Sequence, residues 1–202
     1  MIWCAVSGNG NNVFITVEQS RGADVLENHF HDFDGIAVVD GWRAYSIFGK
    51  QQRCWAHIIR EADTLALRAD EARELASSLK LLYHDIKVEL KKHPPPKRSL
   101  YRRALGKLVK MVRKRRYRND DVRKFVGKLR NAGRSLFTFI LQSVDSTNNA
   151  AERVLREVVI HRKIRGLLRN GKGMSMFGNM MTAFMSWKLR GLNPMEEVRK
   201  YL

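Results

Sequence analysis

Two short runs of β-branched and aromatic residues open the chain, Ile2-Trp3-Cys4-Ala5-Val6-Ser7 and Val13-Phe14-Ile15-Thr16-Val17-Glu18, with a polar, glycine-containing stretch from Gly8 to Asn12 between them. Runs of this kind on either side of a turn signal predict a β-hairpin. Residues 22–31 place Val25, Leu26 and Phe30 at helical spacing and predict a short helix. Gly35-Ile36-Ala37-Val38-Val39 is then a continuous apolar run of strand length, and a strand apolar on both faces is expected to be central and covered. It runs straight into Asp40-Gly41. A carboxylate therefore falls at the carboxyl end of a buried strand, where open α/β sheets hold their ligands.

Arg53-Cys54-Trp55-Ala56-His57 reads as a further short strand or strand end, and the pattern turns helical from Ile58. Leu65, Leu75, Leu79, Leu82, Ile86 and Leu90 predict one long amphipathic helix over 59–93, stopped by Pro94-Pro95-Pro96. Residues 98–116 and 120–142 form two further helical segments. The polar break Asp145-Ser146-Thr147-Asn148-Asn149 caps a helix from Ala150 to His161, and Gly166, Gly171 and Gly173 mark a loop made basic by Arg165, Arg169 and Lys172. A methionine-rich helix over 174–189 ends at Gly191, with Pro194 beyond it, and Met195 to Tyr201 is a short last helix. The methionine stripe reads as core packing. The pattern divides the chain into a sheet part at 1–58, a helical basic insertion at 59–142, and C-terminal helices at 143–202.

Composition alters this picture in one respect. The 202 residues are ordinary in hydrophobic (44%) and charged (29%) content, which excludes a collagen-like or wholly disordered chain, but the net charge is +18. Residues 1–62 carry 5 basic and 7 acidic side chains, so the whole excess lies in the remainder; residues 97–134 alone carry 16 Lys or Arg against Asp120 and Asp121. So dense a basic segment points to a polyanion partner, and its few aromatic residues (Tyr101, Tyr117, Phe125) favour tracking of duplex phosphates over base stacking. No apolar run approaches the roughly 18 residues of a membrane span, and the first residues lack the order of a signal peptide. The expectation is an intracellular protein whose two cysteines, Cys4 and Cys54, stay reduced.

Asp40 leads the residues able to carry chemistry, since a strand-end carboxylate suits Mg²⁺; Asp-Gly is also a common turn pair. Asn148, Glu152 and Arg156 recur at helical spacing and would present an amide, a carboxylate and a guanidinium on one face. Asn149 followed by Glu152 is equally a capping-box pattern. Cys54 and His57 have the spacing of half a zinc site, but no second pair stands at matching spacing, so a buried thiol with a hydrogen-bonding histidine near the carboxylates is the expectation. His29, His31, Asp32 and Asp34 read as solvated loop or helix-end residues.

Val39-Asp40-Gly41-Trp42-Arg43-Ala44-Tyr45, Cys54-Trp55-Ala56-His57, Asn148-Asn149-Ala150-Ala151-Glu152-Arg153-Val154-Leu155-Arg156, Arg162-Lys163 and Gly191-Leu192-Asn193-Pro194 resemble, in that order, the core of the insertion-sequence-sixty-six (IS-66-like) type transposases. The resemblance implies an α/β, ribonuclease H-like mixed sheet with a helical insertion and an Asp-Asp-Glu (DDE) set of metal ligands. On it, Asp40 matches the second Asp and Glu152 the Glu. His57, Asn148, Arg153 and Arg156 would line the site. The basic residues Arg113, Lys114, Arg115, Arg116, Arg162, Lys163, Arg165, Arg169 and Lys172 would hold DNA. The implied cofactor is Mg²⁺ or Mn²⁺. The implied partners are DNA, as transposon ends and target, and a second copy of the chain, with no membrane, in the cytoplasm at a prokaryotic nucleoid.

The first Asp of that family lies on a strand preceding Ile2-Trp3-Cys4-Ala5-Val6, where this chain begins, and neither Glu18 nor Asp24 matches it. The expectation is a truncated core, short of a first strand and one ligand, with little or no strand transfer. The competing expectation is a non-catalytic basic nucleic-acid-binding protein whose carboxylates are structural.

Overall fold

Alternation of side chains builds the first element pair. In the computed structural model, which describes residues 1–114, 117–166 and 170–200, β1 (Ile2–Val6) pairs antiparallel with β2 (Val13–Val17), from Ile2 opposite Val17 to Val6 opposite Val13. The connecting turn closes with Ser7 N–H donating to Asn12 O at 2.9 Å and Gly10 N–H to Ser7 O at 2.8 Å. Gly10 takes the positive φ (72°) that such a turn demands. Ile2, Val13 and Ile15 form a core with Val154 and Val158 of α7 (Asn149–Arg165) and Phe177, Met181 and Met185 of α8 (Gly171–Leu189). Met181 and Met185 of the methionine-rich stretch are thus core, as its spacing suggested, with Met180 packed against that core, whereas Met176 is exposed.

The short helix α1 (Ala23–Phe30) buries Val25 and Leu26. The next strand, β3 (Ala37–Val39), pairs in parallel with β4 (Gln51–Arg53), Val39 standing opposite Arg53. Among the described residues β3 has no second strand partner, and Ala37 and Val38 are only half-buried. The central, covered strand expected from its apolar run is therefore not what is seen. The sheet content is two two-stranded sheets within a mostly helical α/β chain.

Helix α2 (Trp55–Ala66) begins earlier than the sequence pattern indicated, so Trp55, Ala56 and His57 are its first turn and not a strand end. The single helix expected over 59–93 is broken. α2 stops at Ala66, and α3 (Asp70–Glu89) starts after the extended Ala69. Asp70 and Glu71 favour a fresh helix start through the macrodipole, and small residues at Ala62, Ala72 and Ala76 let the two helices pack closely. α4 (Lys97–Lys114) buries Leu100, Ala104, Leu108 and Val112 at i, i+4 spacing. The segment expected as one helix over 120–142 ends early, because Gly133 turns to φ 43°. It comprises α5 (Asp120–Ala132), a 3-10 turn at Gly133–Leu136 and a short α6 (Thr138–Leu141).

α7 extends past the expected His161 to Arg165, and α8 starts at Gly171, so Gly171 and Gly173 belong to a helix start rather than a loop. Asn170 makes this possible by accepting the Gly173 N–H at 2.7 Å. α9 (Pro194–Arg199) ends the described chain, with Pro194 at its first position and Asn193 capping it. No helix among the described residues is long and apolar enough to cross a membrane.

The chain forms two compact units. One is Met1–Asp32, Arg43–Ile47 and Asn149–Leu202; the other is Phe33–Trp42 and Phe48–Asn148. The second unit's core centres on Trp55, which is fully buried and stacked on Tyr83 at 5.0 Å. Its indole N–H donates to Leu136 O at 2.6 Å.

Candidate active-site carboxylates and basic surface

In the second unit, Asp40 follows buried Val39 at the end of β3, and its Oδ1 accepts the Trp42 N–H at 2.8 Å. That bond closes a tight turn through Gly41, whose φ of 96° suits glycine alone. The parallel register brings Arg53 alongside. Its Nη2 donates to Asp40 O at 3.4 Å, and its guanidinium lies so close to Gly41 that a Cβ there would fall 1.7 Å from Nη2. Burial pushes the Arg53 pKa down, while the charges of Asp40 and Glu61 oppose that shift.

Three backbone N–H groups gather other residues at this end of the sheet. Cys54 N–H donates to Val39 O at 2.8 Å, Trp55 N–H to Ser146 O at 3.0 Å, and Asn148 N–H to Cys54 Sγ at 3.4 Å. The strand end bearing Asp40, the first turn of α2 bearing His57, and Asn148 therefore belong to one neighbourhood. The Asn148 Oδ1 is buried there without a hydrogen-bond partner. Both cysteines are free thiols, and burial pushes Cys4 up to about 12, which keeps it protonated near neutral pH.

Glu152 lies on α7 in the first unit, half-buried, with Arg153 and Arg156 exposed beside it. Glu152 and Arg156 keep their helical spacing. Asn148 stands immediately before Asn149, the first residue of α7. Among the described residues no three His, Cys, Asp or Glu side chains gather as a metal site. Asp40, with one oxygen taken by a backbone N–H and a guanidinium nearby, is not by itself a divalent-cation site. Asp40 and Glu152 belong to different units, so neither unit by itself holds both carboxylates.

Of the residues expected to hold DNA, Arg162, Lys163 and Lys172 are exposed. Arg115, Arg116 and Arg169 lie outside the described residues, as do the side chains of Arg113, Lys114 and Arg165. Elsewhere in the basic segment the charge is partly matched. Arg103 pairs with Glu89 (3.5 Å), Lys107 with Asp85 (3.1 Å), Lys124 with Asp121 (3.4 Å), Lys128 with Glu61 (2.5 Å), and Arg123 with Asp120. Arg98, Arg102 and Lys110 are exposed on α4.

A family profile described as Transposase IS66 family matches residues 1–176 of the 202. The chain belongs to the IS66 transposase family. The match spans Asp40, His57, Asn148 and Glu152, the residues that carried the resemblance in sequence. Neither a curated protein nor a solved structure matches this IS66-family chain. The residue that sequence reasoning missed is Arg53. Its contact with the Asp40-Gly41 turn depends on β3 and β4 being parallel neighbours, which no local pattern announces.

Proposed function

We propose that this IS66-family chain is the core of a DNA transposase of ribonuclease H-like class, with Asp40 and Glu152 as two carboxylates of a DDE set that cleaves and transfers DNA strands. The observation that carries it is the family match over residues 1–176, which includes both acids. The turn that holds Asp40 at the end of a parallel strand supports the same reading, since strand ends of this kind present ligands. His57 and Asn148 line the strand end. Arg153 and Arg156 flank Glu152 and offer positive charge to phosphates. The domain reading is a sheet part at 1–58, a basic helical insertion at 59–142 that holds DNA, and C-terminal helices at 143–202.

The cofactor in this reading is Mg²⁺ or Mn²⁺, which would supply activation of water and of a DNA 3′-hydroxyl for attack on phosphodiesters. The partners are transposon-end and target DNA together with a second copy of the chain, in the cytoplasm at the nucleoid.

A second reading is a non-catalytic nucleic-acid-binding protein. The observation that favours it is the cationic Arg53, not a further acid, beside Asp40. Mn²⁺ retention in a complex with duplex DNA, followed by electron paramagnetic resonance, separates the two. The transposase reading expects Asp40→Asn and Glu152→Gln each to lower Mn²⁺ retention while leaving DNA affinity intact. Retention unaffected by either substitution overturns it in favour of the second reading. Vigorous Mg²⁺-dependent cleavage lost in Asp40→Ala would overturn the expectation of low activity.

A further inference from the structure

Four tryptophans occur in the chain, and they are not placed alike. Trp55 is completely buried, and Trp3 and Trp187 are half-buried, whereas Trp42 is 52% exposed. Single exposed apolar side chains are ordinary on protein surfaces. Trp42 differs in its position and its anchorage. It stands two residues beyond Asp40, and the Asp40 carboxylate holds its backbone N–H at 2.8 Å, so the residue is anchored in a closed turn. An indole displayed in this way offers a large flat face at low cost in conformational entropy.

Beside it lies a cation with unused donors. Arg53 packs its guanidinium against Gly41, yet a single long bond of 3.4 Å to Asp40 O is its hydrogen bond among the described residues, and its buried Nε has no hydrogen-bond partner. A guanidinium carries five N–H donors arranged to match a phosphate. An aromatic side chain on the turn and an under-used guanidinium packed against it are the two groups that recognise a nucleotide with its base unstacked from a duplex.

We propose that the Asp40-Gly41-Trp42 turn is a nucleotide subsite, in which Trp42 stacks on an unpaired nucleobase and Arg53 holds the adjoining phosphate. Its significance rests on the reading of Asp40 as a carboxylate that faces DNA, since the subsite would seat the nucleotide next to the phosphodiester that Asp40 serves. Gly41 is part of the device, because any larger residue would push the guanidinium away. Preference for an unpaired base is distinct from the duplex phosphate tracking assigned to the basic helices.

The test measures binding without metal, in the presence of a chelator. Labelled single-stranded oligothymidylate and a fully paired hairpin are titrated with the full chain by fluorescence anisotropy, with intrinsic tryptophan quenching as a second readout. Trp42→Ala is expected to weaken single-strand binding by about 5- to 150-fold, the range for loss of one stacked base. Hairpin affinity stays unchanged, and the quenching disappears. Trp42→Phe should retain most of the single-strand affinity and Trp42→Leu should not. Arg53→Gln should flatten the single-strand salt dependence by about 0.7 for each phosphate no longer neutralised, with partial rescue by Arg53→Lys.

Equal effects of Trp42→Ala on both ligands, no effect on either, or indistinguishable Phe and Leu variants would overturn the proposal. If Trp42→Ala selectively loses single-strand affinity while Mn²⁺ retention ignores Asp40, the subsite stands and the catalytic reading falls. The opposite pair of results removes the subsite alone.

Discussion

Thr182 Oγ1 accepts the Ile15 N–H at 2.9 Å and donates to the Ile15 carbonyl at 3.2 Å, so a helix side chain stands where the backbone of another strand would be. Ser186, one turn further along α8, serves Val13 in the same way at 2.9 and 3.3 Å. Gly178, one turn earlier, permits the approach, since a Cβ there would lie 3.0 Å from Ile15 O. The outer edge of β2 is thereby satisfied by a small-residue stripe on a helix instead of by a strand.

Thr182→Val keeps the shape of the side chain and removes both bonds. Ile15 is 1% exposed, so its N–H is left buried without an acceptor, and the destabilisation should be about 1–3 kcal/mol in urea unfolding. Thr182→Ser should recover most of it. Equal stability of the valine and threonine proteins would show that the edge does not depend on these bonds.

Gly41→Ala should cost about 1–3 kcal/mol, from a side chain forced into positive φ and from its clash with Arg53. The two causes separate in a double-mutant cycle on thermal midpoints. In an Arg53→Ala background the clash is gone and only the backbone cost remains, so the same substitution should cost less. Strict additivity would mean that the guanidinium does not rest on Gly41.

The pH dependence of stability should carry a signature of Glu71. Its carboxylate accepts the Arg118 N–H at 3.0 Å and the Asn119 N–H at 2.7 Å, tying the start of α3 to the start of α5. Those backbone bonds hold its pKa below the ordinary carboxylate value. A carboxylate depressed on folding contributes stability above its unfolded pKa and loses it as pH falls through the folded one. The stability gap between the native chain and Glu71→Ala should therefore be full near neutral pH and narrow below about pH 4. Urea midpoints across that range test it, and a gap independent of pH would contradict it.

Duplex binding should distinguish the basic residues of α4 by their existing partners. Gln at Arg98, Arg102 or Lys110, which are exposed, should reduce the salt slope by about 0.9 for each phosphate the side chain had neutralised. Gln at Arg103 or Lys107, whose charged ends already meet Glu89 and Asp85, should change it less. A uniform effect across all five would indicate that these ion pairs open on binding.

The hairpin β1–β2, the short α1 and the methionine-rich α8 were legible in the sequence because their cues are local. A run of β-branched residues around a glycine turn, or an apolar stripe at helical spacing, needs no distant partner to be read. The position of Asp40 at a strand end was legible for the same reason, as were the motifs that place the chain among IS66 transposases. The break between α2 and α3 was harder, since the apolar spacing continues almost in phase across Leu67 to Ala69. It is settled by packing of Ala62 against the helix that turns back. The bond from Asn148 N–H to Cys54 Sγ, 94 residues away, had no local cue at all.

By itself, then, the sequence determined the family and the nature of most elements, and it named the residues expected to carry chemistry. Period, turn residues and motif order are all properties of neighbouring positions. Only the tertiary structure decided that Arg53 lies over Gly41, that Thr182 and Ser186 close the edge of β2, and which basic side chains already have acidic partners. Each of those is a contact between residues far apart in the chain, whose free energy depends on register and helix placement and leaves no mark on the local pattern.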